Sequence, residues 1–256
     1  MNLKEFVELG ESKAVSYDFK KEIFESRNIH YSDNEILNLI LYKGNYDFYY
    51  DDCDRLALTL EIYEKLWESS FNFWDIENHR EFVKANGETM NSFNTTYKAL
   101  YKDKFVYNDK ELNEFSIMTH TLGNFIPVYV KKTSKNSWSS PFNGPRYIFT
   151  LDYWDITLLD IKKYYDEDLT PSYIKNSERW LESFGSWENF IERNYLQSFL
   201  EDDKDTSSNP KEFWKGHFER RKTPPNKTQA YEFLKFVNSA IKKRGNLMYS
   251  VLKSKL

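Results

Sequence analysis

Three short polar stretches hold the side chains most suggestive of acid–base or anion-binding chemistry. The first runs from Met118 to Val130, where His120, Thr121 and Asn124 stand at the entrance to an apolar run. An imidazole titrates near neutrality and can take or give a proton at a phosphate or acyl centre. Thr119, Thr121 and Asn124 are placed to orient it, and Gly123 lets the backbone come close to a ligand. The second stretch, Pro-Phe-Asn-Gly-Pro-Arg over 141–146, offers Asn143 and Arg146. A guanidinium leaving a tight turn can hold phosphate or carboxylate in a two-pronged grip. The third, 88–95, is almost wholly polar and supplies Glu88 as an acid and Asn91 as a hydrogen-bonding group.

If these stretches meet, they form one polar pocket. His120 and Glu88 are its expected catalytic groups, and Asn91, Asn124, Asn143 and Arg146 its binding groups. A nucleotide, a nucleic acid or another phosphate-bearing ligand suits that set best. No metal is expected there, and no cofactor is specified.

Each residue also has a purely structural use. A buried histidine bonded to a backbone carbonyl accounts for His120, and Gly123-Asn124 suits a bulge or turn. Arg146 has Asp152 and Asp155 as possible ion-pair partners, and 88–95 suits a capping turn. Asp47, Asp51, Asp52 and Asp54 lack the ligand spacing and glycine of a calcium loop and read as a solvated turn. His217, followed by Phe-Glu-Arg-Arg, resembles the His/Arg clusters of some helical ribonucleases but lacks their Arg-x-x-x-x-His order. The tryptophans at 154, 180, 187 and 214 fall at helical positions and are expected in the core.

The elements that must position these groups are mostly helical. A helix over 54–69 is predicted from Leu56, Leu60, Tyr63 and Trp67, widened by Leu58, Ile62 and Leu66. Extended segments are predicted over 117–130 and 147–151, pairing as a hairpin, with Pro127 favouring an edge or bulge. Beyond 152 the pattern turns helical, with Trp154, Leu158, Ile161 and Tyr165 on one face. Further helices are predicted over 172–183, after Ser186, and from Asn209-Pro210, with an exposed acidic connection over 201–209. A last helix is predicted to stop near Arg244, with Lys242, Lys243 and Arg244 in its final turn and Gly245 beyond it.

Composition narrows the function classes. With 36 Lys plus Arg against 40 Asp plus Glu, the net charge of −4 argues against a broad electrostatic footprint on DNA or membranes. Aromatic residues make up 18% of the chain, so rings carry much of the burial. The one cysteine, Cys53, precludes an intrachain disulfide or a cysteine-cluster zinc site. No secretion signal is expected at the N-terminus, and no apolar run nears the roughly 20 residues that span a bilayer. Nor does the chain carry a phosphate loop, a Gly-x-Gly-x-x-Gly, a Gly-x-Ser-x-Gly or a His-Glu-x-x-His motif.

The blocks Glu-Thr-Met-Asn-Ser-Phe-Asn-Thr (88–95), His-Thr-Leu-Gly-Asn-Phe-Ile-Pro (120–127), Phe-Asn-Gly-Pro-Arg (142–146), Asp-Tyr-Trp-Asp-Ile-Thr-Leu-Leu (152–159) and Phe-Gly-Ser-Trp-Glu-Asn-Phe (184–190) appear in this order. In them the chain resembles a bacterial family with no assigned activity, over roughly 85–245. A weaker likeness joins Leu122-Gly-Asn124, with Asn136, to the later half of an HNH endonuclease motif. Residues 81–119 supply no upstream histidine, which leaves the base and part of the metal shell of such an enzyme without candidates.

The reading is a single compact α+β domain over 1–256: mainly α, about eight to ten helices, with a small β element in the form of a short antiparallel hairpin. Residues 1–50 form an N-terminal extension packed on a family-like core over 85–245. A soluble cytoplasmic bacterial protein binding or acting on a phosphate-bearing ligand is expected. The alternative is a non-catalytic interaction protein: an inhibitor, an immunity factor or a phage-defence component with a protein partner.

Overall fold

A computed structural model describes residues 1–19, 56–67, 81–84, 110–134, 137–139, 154–167, 178–220, 224 and 226–256. These residues are mainly helical, as the apolar spacing predicted. Glu88, Asn91, Asn143, Arg146, Cys53 and the 147–151 segment lie outside them.

The chain opens with α1 (Leu3–Glu8), closed by a capping box. Asn2 Oδ1 accepts from the Glu5 N–H at 3.0 Å and Glu5 Oε2 accepts from the Asn2 N–H at 2.9 Å. Next come α2 (Glu11–Val15) and α3 (Ala57–Trp67), which buries Leu58, Ile62, Tyr63, Leu66 and Trp67. Strand β1 (Glu81–Lys84) pairs antiparallel with β2 (Val128–Ser134), which pairs with β3 (Ser137–Ser139).

The segment predicted as one long strand over 117–130 is different in kind. It holds the end of α4 (Lys110–Met118), a 3-10 turn (Leu122–Asn124) and only then the start of β2. Leu112, Phe115 and Met118 are buried at three-residue spacing, which is a helical face. Leu122, Phe125 and Ile126 are buried because the turn is tucked inward. An apolar run of strand length therefore misleads where both sides of a compact turn are covered. The 147–151 half of the expected hairpin lies outside the described residues.

Helix α5 (Trp154–Glu167) buries Trp154, Leu158 and Ile161 as the spacing required. Helices α6 (Glu178–Glu182) and α7 (Trp187–Arg193) follow, with Ser186 Oγ accepting from the Asn189 N–H at 3.3 Å as the N-cap. Trp154, Trp180, Trp187 and Trp214 are all buried. Trp180, Phe184 and Phe190 pack edge to face at 5.0–5.9 Å.

Pro210 does not start a helix. It forms an antiparallel bridge with Leu200, flanked by Glu201 N–H to Asn209 O and Lys211 N–H to Phe199 O, both 2.9 Å. The exposed acidic loop 201–209 is pinned at its neck by these bonds. Helix α8 begins only at His217 (His217–Arg220).

The 28-residue α9 (Lys227–Ser254) organises the rest. About 42 Å long at 1.5 Å per residue, it packs against α1, α2, α3, α4, the 122–124 turn and the 3-10 turn Gln197–Phe199. It buries Phe233, Leu234, Val237, Ile241, Met248 and Leu252 on one face. The predicted stop at Gly245 is overturned, since α9 runs nine residues past it to Ser254. Gly245 is there for proximity, as its contacts below make plain.

Candidate functional site

Two histidine–aspartate pairs occur among the described residues, and they differ in access to solvent. In the first, His120 sits just past α4. The helix unwinds over Thr119, His120 and Thr121, whose N–H groups reach back to Phe115, Ile117 and Met118 carbonyls at 2.9–3.2 Å. Thr121 Oγ1 donates to Met118 O at 2.9 Å and Asn124 Nδ2 to Thr119 O at 2.7 Å, so both side chains tie the turn to itself. The Phe19 N–H donates to His120 O at 3.1 Å, bringing the 11–19 segment alongside. His120 Nδ1 then faces Asp18 Oδ1 at 3.9 Å, a charge contact longer than a hydrogen bond. The two side chains are 16% and 17% exposed, so the pair is partly open rather than sealed.

Asn124, expected to bind a ligand, is fully buried and points into the turn. Gly123 does give close backbone approach, but to protein. A Cβ there would lie 1.9 Å from Ile241 O and 2.8 Å from Gly245 N of α9. Leu122-Gly-Asn124 is thus a buried turn seated on a helix, which lends nothing to the HNH likeness.

Arg244 locks that seating. Its Nη1 donates to Gly123 O at 2.7 Å and to Phe125 O at 2.6 Å, while Nε and Nη2 donate to Asn194 O at 3.1 and 2.9 Å. Burial lowers the guanidinium pKa to about 9, against a smaller opposing effect of the Tyr63 and Tyr195 hydroxyls, so Arg244 remains a cation at neutral pH. The sequence places Arg244 in a basic last turn; the structure places it mid-helix and buried, bonded to carbonyls of two other segments.

Asn194 can offer its carbonyl because α7 ends in a Schellman turn. Leu196 N–H donates to Ile191 O at 2.9 Å and Tyr195 N–H to Glu192 O at 3.1 Å. Tyr195 takes the left-handed position (φ 58°) usually given to glycine. Its hydroxyl donates to Leu66 O at 2.9 Å and its ring meets Trp67 edge on, so the side chain is anchored where the backbone is strained.

The second pair joins Asp155 of α5 to His217 of α8 at 2.6 Å, with both side chains fully buried. Asp155 Oδ2 also accepts from the Phe213 N–H, and Oδ1 from the Ile156 N–H, each at 2.9 Å. A carboxylate already accepting two backbone donors takes the imidazole Nδ1 as a third. Desolvation by burial nonetheless raises the Asp155 pKa, outweighing His217 and the backbone donors that oppose it. Beside it, Glu212 accepts from the Gly216 and Phe218 N–H groups at 3.0 and 2.9 Å, capping the start of α8.

Sequence reading passed over this second pair. Asp155 was weighed as a partner for Arg146, and His217 for a ribonuclease-like cluster, but 62 residues separate the two. The usable signal was a histidine amid Phe213, Trp214 and Phe218, since a buried imidazole calls for a carboxylate or carbonyl partner.

Of the six expected site residues, the structure describes His120 and Asn124 and sets them in one turn, one at the surface and one inside. Among the described residues no group of acidic, histidine or cysteine side chains could hold a metal, and no helix is long and apolar enough to cross a membrane. No curated protein and no solved structure matches the chain. Residues 45–248, however, match the family described as "Family of unknown function (DUF6994)", a span taking in every block from 88 to 190 as well as the Asp155–His217 pair and Arg244. By that match over most of its length, the chain belongs to this family of unknown function.

Proposed function

We propose that His120, paired with Asp18, is the acid–base group of a site that binds and acts on a phosphate-bearing ligand, a nucleotide or nucleic acid. The observation that supports this reading is the difference between the two pairs. Asp155–His217 is sealed, whereas His120–Asp18 holds a histidine 3.9 Å from a carboxylate with both side chains partly exposed. An imidazole in that position can give a proton to a leaving oxygen or take one from an attacking group. Arg146, Asn143, Asn91 and Glu88 complete the proposed site on the strength of their chemistry in the sequence: Arg146 as anion clamp, the asparagines as orienting groups and Glu88 as a second acid. In this reading Asn124 serves the site indirectly, by holding the turn that carries His120.

The test incubates wild type and His120→Ala with nucleoside mono-, di- and triphosphates, RNA and DNA, and reads products by mass spectrometry. Loss of a general acid–base predicts turnover at least about 100-fold lower in the variant. Turnover that His120→Ala retains in full overturns the assignment. No turnover by wild type on any of these substrates overturns the enzymatic reading and favours an interaction protein.

A further inference from the structure

Gly245 lies in the interior of a 28-residue helix, where glycine is the poorest choice after proline. Its contacts account for it. A Cβ at this position would lie 3.0 Å from Val15 Cγ1, 3.4 Å from Gly123 N and 3.5 Å from Gly123 Cα. Two segments distant in sequence therefore rest on one bare patch of α9. Val15 precedes Asp18 by three residues, and Gly123 follows His120 by three.

We propose that this Gly245 patch is the positioning element of the His120–Asp18 pair: it seats both segments at one depth on α9 and so sets the separation of the two side chains. Three contacts make the seating stiff. The Phe19 N–H bond to His120 O ties the segments to each other. Arg244, adjacent to Gly245, grips the Gly123 and Phe125 carbonyls. Gly123 in turn has no room for a methyl group against Ile241 O, so the turn cannot slide inward. Side chains added at 245 act as a wedge. Val15 is buried and β-branched, so it has little rotamer freedom with which to yield, and displacement passes to the backbone that carries Asp18. The inference builds on the reading of His120–Asp18 as the reacting pair, but its primary test needs no substrate.

That test is an NMR titration of the His120 ring, with and without Asp18→Asn, in wild type, Gly245→Ala, Gly245→Val and Gly245→Val/Val15→Ala. In wild type, removing a charge about 4 Å away lowers the proton affinity of His120 at least about fivefold. The Asp18-dependent effect shrinks stepwise from glycine to alanine to valine and returns toward its wild-type size when Val15→Ala makes room. An unchanged effect in Gly245→Ala overturns the proposal, and so does failure of Val15→Ala to restore it in a folded Gly245→Val protein. Should Gly245→Val not fold, the comparison of Gly245→Ala with Gly245→Ala/Val15→Ala decides in the same way. With an active substrate in hand, Gly245→Ala lowers kcat about tenfold at unchanged KM, as expected for misplacement without lost binding. A wild type that turns over nothing, yet shows the Asp18 effect and its rescue, rejects the proposed function and keeps the positioning role.

Discussion

Trp214 lies face to face with His217, the ring centroids 3.6 Å apart and the planes 29° from parallel. The imidazole that Asp155 holds by one nitrogen is thus covered on its flat side by an indole, and both partners of the ion pair are shut from water. Buried pairs of this kind add little net stability when intact but cost a great deal when one partner is removed.

Asp155→Ala is therefore expected to destabilise the protein by about 3–5 kcal/mol. It would strand three donors at once: the Phe213 N–H, the Ile156 N–H and His217 Nδ1. Urea unfolding monitored by tryptophan fluorescence measures this, and a loss below about 1 kcal/mol would show that the pair does not close the core at this point.

The raised pKa of Asp155 sets a direction in pH. A carboxyl that binds its proton more tightly in the folded state contributes stability fully present below its unfolded value near 4, and loses it as pH rises through the folded value. Wild type measured against Asp155→Asn should lose relative stability across that window and then level off. A relative stability that climbs over the same range contradicts burial as the dominant influence on Asp155.

Gly123→Ala is expected to cost more than about 3 kcal/mol or to prevent folding. The new methyl would meet Ile241 O at 1.9 Å, and the obstacle is backbone that cannot rotate aside. Soluble yield and thermal melting report it; a Tm within a few degrees of wild type would mean the turn has another seat on α9.

Arg244→Lys preserves charge yet cannot reach both sets of carbonyls. Arg244 spans Gly123 and Phe125 on one side and Asn194 on the other through a rigid planar fork. A loss of about 2–4 kcal/mol is expected from buried carbonyls left without donors. Equal stability of wild type and lysine variant in chemical denaturation would show that charge alone suffices there.

Regular helices were legible in the sequence because their burial is periodic. Trp154, Leu158 and Ile161 marked α5, and the tryptophans announced a core they do occupy. The turn at 119–126 was not legible as such. Leu122, Phe125 and Ile126 read as a strand because residues buried from all sides lose the periodicity that tells helix from strand. Gly245 misled for a related reason: a glycine that permits close approach has the same appearance in sequence as one that ends a helix. His120 stood out in the sequence by its residue type, whereas Asp18, the carboxylate it faces, lies about a hundred residues upstream, in a stretch read only as an extension.

The hydrogen bond from the Tyr249 hydroxyl to Val7 O, at 2.9 Å, spans 242 positions of sequence. It means that α1 and α2 wait through the synthesis of more than 200 further residues for the helix they rest on. Synthesis proceeds at about 5–20 residues per second, so a nascent chain holds Val15 without its Gly245 partner for about ten seconds or more. Docking of the amino-terminal segment on α9 in this sense follows the making of every other described element. A nascent chain halted before Gly245 would display an apolar surface that invites chaperones, and the His120–Asp18 segments would lack the helix that seats them.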